Sequence, residues 1–141
     1  EHKLFSIGLG ADCAGATALA SLLYRGVLRE RPSLPVVELA EHHIESVETG
    51  VNWAGQQIQA LGQQGDVAFI FAASLGEPQI QRLAVALEQR QVGAIWIGNR
   101  GPGLSMTIAD ENVETRLTLN GALAICLARL IDTHTFGPMG D

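Results

Sequence analysis

Two short loops carry the residues of this sequence that are best suited to holding a ligand. Residues 8–12 read Gly-Leu-Gly-Ala-Asp between an apolar segment and a helical pattern, and residues 72–77 read Ala-Ala-Ser-Leu-Gly-Glu before another helical pattern. Backbone N–H groups at such helix starts bind anions. We therefore select six candidate ligand-binding residues: Gly8, Gly10, Asp12, Ser74, Gly76 and Glu77.

The acidic residues of these loops oppose a phosphate ligand. Two like unit charges about 4 Å apart repel by roughly 4 kcal/mol at an effective dielectric constant of about 20. Asp12 and Glu77 are better explained as the anions of their own helix starts, where they would cap the helices and complement the helix dipoles. The loops therefore favour an uncharged or amino-bearing ligand over a phosphate.

The first loop also shares part of a dinucleotide-binding fingerprint. Gly8 and Gly10 provide the first two glycines, and Glu38 near the end of the next strand pattern could bind a ribose hydroxyl. Cys13 occupies the position of the third glycine, and the next glycine, Gly15, does not fit the spacing of the motif. A nucleotide-cofactor-binding domain is therefore kept only as an alternative, and we predict no cofactor.

Structural roles explain the remaining polar candidates. His42 and His43 lie among glutamates, but adjacent histidines point to different faces of a helix and no third ligand follows at a fixed spacing, so no metal site is predicted. Cys13 has no histidine placed by the sequence to serve as its base, which favours packing over nucleophilic chemistry. The two cysteines, Cys13 and Cys126, suggest no disulfide framework, and we expect a cytoplasmic protein.

The elements that would position the loops alternate between strand-like and helical patterns. This alternation is typical of a parallel sheet with helices on both faces, so we predict an α/β fold with three αβα layers and a five-stranded, parallel, flavodoxin-like sheet. A ligand site would then lie at the carboxyl ends of the strands. The predicted strands are Lys3–Gly8, Leu34–Leu39, Val67–Phe71, Gly93–Ile97 and Val113–Leu119.

Apolar residues at helical spacing predict four helices. These begin after Asp12, cover Ile44–Leu61, follow Pro78, and run from a cap at Asn120 to about Asp132. The last helix is apolar on nearly all sides, which predicts that it is buried or lies in a subunit interface.

Length and charge limit the class of protein. A chain of 141 residues has room for one domain with a core, here residues 1–141. The net charge of −6 argues against a nucleic-acid surface, which needs clustered lysine and arginine, and the apolar runs are too short for a membrane span. Because a strand pattern begins almost at Glu1, we expect that an N-terminal segment is missing.

Three segments carry a resemblance to a known family. Residues 29–35 read Arg-Glu-Arg-Pro-Ser-Leu-Pro, residues 60–67 read Ala-Leu-Gly-Gln-Gln-Gly-Asp-Val, and Leu-Ile-Asp at 130–132 is followed by Phe136 and Gly137. Together they resemble the phosphoheptose isomerase and replication-initiator-associating protein group of the sugar isomerase (SIS) domain family. The resemblance implies a flavodoxin-like sheet, a dimer or tetramer, further N-terminal helices, and sedoheptulose 7-phosphate as the family's substrate.

The functional residues of the family do not carry over. Members usually have Gly-Asn-Gly-Gly-Ser in the first loop and Ser-Thr-Ser-Gly-Asn-Ser in the second, whose hydroxyls hold phosphate, and here only Ser74 keeps a hydroxyl in the second loop. The family's proton-transfer glutamate falls on Leu22, and its histidine partner falls on Ile125. The Arg-Ile-Gln-Glu stretch that opens the last helix has no counterpart if Val113–Leu119 is a strand. Since leucine and isoleucine transfer no protons, no catalytic residue is predicted.

We therefore expect a non-catalytic homo-oligomer, a dimer or a tetramer. It would act as a regulatory or adaptor protein through protein contacts, or bind a sugar derivative, without direct contact to nucleic acid or membrane. Two alternatives stay open, an active phosphosugar isomerase and the nucleotide-cofactor-binding domain.

Overall fold

The computed structural model describes residues 2–25, 33–41, 46–107 and 112–137. They contain a five-stranded, all-parallel sheet with the strand order β2-β1-β3-β4-β5. The predicted fold class is thereby confirmed. The strands are β1 (Leu4–Leu9), β2 (Val36–Glu41), β3 (Val67–Phe71), β4 (Gly93–Ile97) and β5 (Leu104–Met106).

Helices cover both faces of this sheet. Helix α1 (Cys13–Arg25) packs against α4 (Val113–Phe136), and α2 (Val47–Leu61) packs against α3 (Glu77–Gln89), so that each pair forms one outer layer. Within the described ranges, no helix combines the length and the apolar character needed to cross a bilayer. A 3-10 turn, Gly10–Asp12, precedes α1.

The central strand β3 shows why the sheet needs both layers. Successive side chains of a strand point to opposite faces. Phe69 and Phe71 therefore pack into the apolar cluster beneath α1 and α4, while Ala68 and Ile70 pack beneath α2 and α3. All four side chains are buried, as expected for a parallel strand covered on both sides.

The apolar stripes that predicted the helices are largely buried. Leu61 at the end of α2 is 41% exposed, and Ala84 in α3 is half-buried. Ile44 and the pair His42 and His43 lie outside the described residues. The buried stripe residues are Ala16, Leu19, Ala20 and Leu23 in α1, Val51, Ala54 and Ile58 in α2, and Ile80, Leu83 and Leu87 in α3.

The prediction of the fifth strand was wrong. Residues 113–119 form the first two turns of α4, where the Asn112 side chain caps the helix by accepting a 2.9 Å hydrogen bond from the Glu114 N–H. The fifth strand is instead Leu104–Met106, which pairs with β4. Asn120, predicted as the helix cap, consequently lies inside α4, and the missing helix-opening stretch can no longer be explained by a strand.

A buried carboxylate joins the amino ends of β1 and β3. Asp66 accepts hydrogen bonds from Lys3 Nζ at 2.7 Å, from the Lys3 N–H at 2.8 Å and from the Gln63 N–H at 2.9 Å. Burial acts to raise the pKa of Asp66, but the hydrogen bonds outweigh it and hold the pKa below the ordinary value. This contact stabilises the edge of the sheet opposite the candidate site.

The turn out of β1 brings the two candidate loops together. Strand β1 lies beside β3, and Gly8 is in register with Phe71, so both strands end at the same level. A Cβ on Gly8 would lie 2.5 Å from the Asp12 carbonyl oxygen and 2.7 Å from the Ala16 Cβ. Glycine is therefore required for the chain to turn this tightly into α1.

Candidate functional site

Asp12 reaches from the first loop into the second. Its carboxylate accepts hydrogen bonds from the Ala73 N–H at 3.2 Å, the Ser74 N–H at 2.9 Å and the Ser74 hydroxyl at 2.5 Å. The residue is fully buried. Two consecutive backbone amides and a hydroxyl that converge on one carboxylate form an anion-binding site, and the anion is a side chain of the same protein.

This geometry corrects the predicted role of Asp12. The sequence suggested that Asp12 caps its own helix, but the turn that leads into α1 has no side-chain cap. Its hydrogen-bond partners belong to the loop between β3 and α3 and to α4. Asp12 therefore links the turn before α1, the loop between β3 and α3, and α4 by hydrogen bonds, and it does not cap α1.

Asn120 is the residue of this cluster that sequence reasoning missed. Its Nδ2 donates to Asp12 Oδ1 at 3.2 Å from the middle of α4, and its side chain is 2% exposed. Its Oδ1 is buried and has no hydrogen-bond partner among the described residues. Asparagine in the interior of an otherwise apolar helix is a signal that could have found it, because such a position disfavours asparagine unless its side chain has a partner elsewhere.

Two opposing effects set the pKa of Asp12. Burial raises it, because the charged form loses its hydration. Hydrogen bonds from Ser74, Ala73 and Asn120 lower it, yet the pKa remains above the ordinary value. Burial together with the charge of Asp12 also raises the pKa of the Cys13 thiol, which is buried beside it. Cys13 is therefore not activated as a nucleophile, as the sequence predicted.

The other candidate residues lie at the mouth of the second loop. Gly76 is the N-cap of α3 and makes no side-chain cap, and Glu77 is an exposed residue of the first turn. Glu77 also lines an open cleft with Asn99 and Arg100 from the loop after β4. Asn99 Nδ2 donates to the Leu75 carbonyl at 3.0 Å and so links the two loops. Glu77 is thus separate from the buried cluster around Asp12.

The positions at which the family resemblance implies catalytic groups are apolar. Leu22 packs partly buried on α1, and Ile125 is 46% exposed on α4. Among the described residues, no cluster of three histidine, cysteine or acidic side chains could hold a metal ion. The arrangement can hold an anion or a carboxylate by hydrogen bonds, and neither Leu22 nor Ile125 can move a proton.

Relatives along the whole chain point to one class of protein, although no protein-family model matches. The chain is 29% identical to a phosphoheptose isomerase of Methylococcus capsulatus, a match that spans 97% of this chain and 78% of the relative. It is 28% identical to a phosphoheptose isomerase of Halorhodospira halophila, over 99% and 78% of the two chains.

Solved structures agree at the level of the fold. A phosphoheptose isomerase from Francisella tularensis matches with a TM-score of 0.78 at 18% identity, covering 94% of this chain and 77% of that one. One from Neisseria gonorrhoeae matches with a TM-score of 0.75, also at 18% identity and with the same coverage. The fold is therefore that of the phosphoheptose isomerase structures, which have SIS domains. The sequence is similar to phosphoheptose isomerases along nearly all of its length.

Proposed function

We propose that this chain is a non-catalytic phosphoheptose isomerase-like protein whose anion-binding loop is occupied by its own Asp12. The contact between the Asp12 carboxylate and the amides of Ala73 and Ser74 carries the proposal. The resemblance implies that a sugar phosphate would be held by this loop. A buried carboxylate in that place excludes the phosphate both by volume and by charge.

The chemistry of aldose–ketose isomerisation supports the same conclusion. The reaction needs an acid and a base near adjacent carbon atoms, and donors where negative charge develops on oxygen. Leu22 and Ile125 offer neither, and the donors of the second loop are already bound to Asp12. An active phosphosugar isomerase remains the alternative, because the relatives carry that name.

The remaining role is that of a regulatory or adaptor protein that acts through protein contacts in the cytoplasm. Neither Cys13 nor Cys126 forms a disulfide, which fits a reducing compartment. A sugar-derivative-binding protein is the second form of this proposal, and the orphaned Oδ1 of Asn120 favours a ligand that donates hydrogen bonds over one that accepts them.

Incubation of the purified chain with sedoheptulose 7-phosphate tests the proposal. We expect no isomerised product above the enzyme-free background, measured by mass-resolved chromatography. Ser74→Ala is the matched variant, because Ser74 contributes the only hydroxyl of the second loop. Turnover that Ser74→Ala abolishes would identify an active isomerase and overturn the proposal.

Calorimetric titration separates the two non-catalytic forms. A regulatory or adaptor protein gives no heat with neutral sugars, amino sugars or their phosphates. Saturable heat with a neutral or amino sugar that Asn120→Leu removes would support the sugar-binding form. Tight binding of a sugar phosphate by the unmodified chain contradicts both forms, because Asp12 would then not close the loop.

A further inference from the structure

An open cleft lies between the start of α3 and the loop that follows β4. Its volume is about 370 Å³, which is within the range of small-molecule sites. It lies at the carboxyl ends of β3 and β4, the edge at which parallel α/β sheets bind ligands. The lining residues do not include Asp12 or any of its hydrogen-bond partners. They are Glu77, Ile80 and Gln81 from α3, and residues 99–102 from the loop.

Contacts within the fold position the loop side of this cleft. A Cβ on Gly101 would overlap the ring of Trp96, so the loop lies directly on the buried indole. Asn99 Nδ2 donates to the Leu75 carbonyl at 3.0 Å, and Asn99 Oδ1 accepts from the Arg100 N–H at 2.8 Å. A ligand that binds to a wall that is already ordered pays little of the entropy cost of ordering a loop.

The two sides of the cleft carry opposite charges. Glu77 lies in the first turn of α3, and Arg100 belongs to the loop on the other side. Both side chains are exposed, and neither is part of an ion pair within the residues that the structure describes. Glu48 and Arg82, in contrast, pair with each other between α2 and α3. The charges of Glu77 and Arg100 are therefore available to a ligand in the cleft.

These charges discriminate against ligands that carry only one charge. A simple anion that approaches Arg100 is repelled by Glu77, and a simple cation that approaches Glu77 is repelled by Arg100. A zwitterion satisfies both, because its carboxylate can accept two parallel hydrogen bonds from a guanidinium group while its ammonium group donates to a carboxylate. Such a ligand has no net charge, so the protein's charge of −6 does not repel it.

The apolar part of the lining is small. Ile80 lines the cleft although only 3% of it is exposed, and Pro102 is exposed on the loop side. Together they provide a limited apolar surface, which is enough to cover a short aliphatic side chain. Gln81 is the remaining polar side chain on α3, and it carries no charge.

We propose that this cleft binds a small zwitterion of the α-amino acid class with an aliphatic side chain. Arg100 holds the carboxylate, Glu77 holds the ammonium group, and Ile80 and Pro102 contact the side chain. Binding here does not depend on the loop around Asp12. Failure of this site would therefore leave the proposed function untouched, and the reverse also holds.

Titration of the isotope-labelled full chain with L-leucine, followed by the chemical shifts of the backbone amides, tests the site. We expect saturable shifts at the amides of Gln81, Arg100 and Gly101 at millimolar leucine. Two analogues are the matched ligands, since isocaproate lacks the ammonium group and isoamylamine lacks the carboxylate. Each should bind at least about tenfold more weakly, because it loses one charged contact and keeps one repulsion.

Variants of the two charged residues complete the test. Arg100→Gln and Glu77→Gln should each weaken leucine binding at least about tenfold, and circular dichroism confirms that they are folded. Glu88→Gln is the matched control, because Glu88 is exposed about three turns further along α3 and does not line this cleft, so it should bind leucine as the unmodified chain does.

Four results would each overturn the proposal. They are the absence of saturable shifts with leucine, shifts confined to amides outside the cleft, binding of isocaproate or isoamylamine as tight as that of leucine, and leucine binding that survives both Arg100→Gln and Glu77→Gln.

Discussion

Removing the carboxylate of Asp12 should convert a filled anion site into an empty one. In Asp12→Ser, the N–H groups of Ala73 and Ser74, the Ser74 hydroxyl and Asn120 Nδ2 lose their shared acceptor. These four donors still converge on one point, because they belong to a loop and a helix that the sheet holds in place. We therefore expect the variant to bind sulfate or inorganic phosphate where the unmodified chain does not.

The size of this effect follows from the charge that is removed. A carboxylate about 4 Å from an anion costs roughly 4 kcal/mol per unit charge at an effective dielectric constant of about 20. Since about 1.4 kcal/mol corresponds to a factor of ten, the affinity for a singly charged oxyanion should rise by roughly a thousandfold. Without an anion, the variant should lose about 1–3 kcal/mol of unfolding free energy, because buried donors are left without an acceptor.

Urea unfolding followed by tryptophan fluorescence measures both effects. With sulfate at ten times its dissociation constant, Asp12→Ser should regain about 1.4 kcal/mol of unfolding free energy. The unmodified chain in the same sulfate corrects for the general stabilisation by this salt. Asp12→Asn is the steric control, because its side chain has no charge but still fills the loop, and it should respond to sulfate less than Asp12→Ser does.

One result would refute this reasoning. If Asp12→Ser is folded and responds to sulfate no more than the unmodified chain does, the negative charge was not what excluded the anion. Leu9 or Leu75, both buried beside the loop, would then block the site. Glu77→Ser, combined with Asp12→Ser, separates the exposed acid from the buried one and should add little, because water screens the charge of Glu77.

Two further predictions concern stability. Asp66→Asn should cost about 1–3 kcal/mol of unfolding free energy at neutral pH through the lost contacts with Lys3. The folded pKa of Asp66 is held below the ordinary value of 3.8, so its contribution is present above that value and is lost as the pH falls through the folded pKa. In urea unfolding at a series of pH values, the difference in unfolding free energy between Asp66→Asn and the unmodified chain should therefore shrink as the pH is lowered below 3.8. Gly15→Ala would place a Cβ 2.7 Å from the Phe71 ring and should lower the unfolding free energy by about 1–3 kcal/mol. Gly121→Ala on α4 is the control, because its Cβ would have no neighbour within 4 Å, and it should raise the unfolding free energy by about 0.5–1 kcal/mol. Equal thermal midpoints for the two variants would contradict the tight packing at Gly15.

Much of the fold could be predicted because its signals are local. The run Val67–Phe71 is apolar at every position, which only a strand covered on both faces can use, and the structure places it at the centre of the sheet. Helix α3 was equally clear, since Pro78 stands in its first turn and the residues that follow are apolar at helical spacing.

The fifth strand could not be found in the same way. Residues 113–119 alternate partly between apolar and polar side chains and contain β-branched residues, which favours a strand when only the local pattern is considered. The cap at Asn112 begins α4 at this point, and the segment continues into a helix that packs against α1, so it is helical instead. The true β5, Leu104–Met106, has three residues, too few for any periodicity, and it depends on its pairing with β4.

The contact that defines the candidate site joins residues about sixty positions apart, so no sequence spacing predicts it. Asp12 and Ser74 were both selected, but as independent parts of two loops. Their pairing explains why the second loop keeps only one of the hydroxyls that the family's loop usually has. The family's loop holds phosphate with several hydroxyls, whereas a carboxylate that already accepts from two amides and from Asn120 Nδ2 needs only one more donor. Ser74 supplies it through its hydroxyl, so Ala72 and Ala73 can be apolar and buried without leaving Asp12 short of partners.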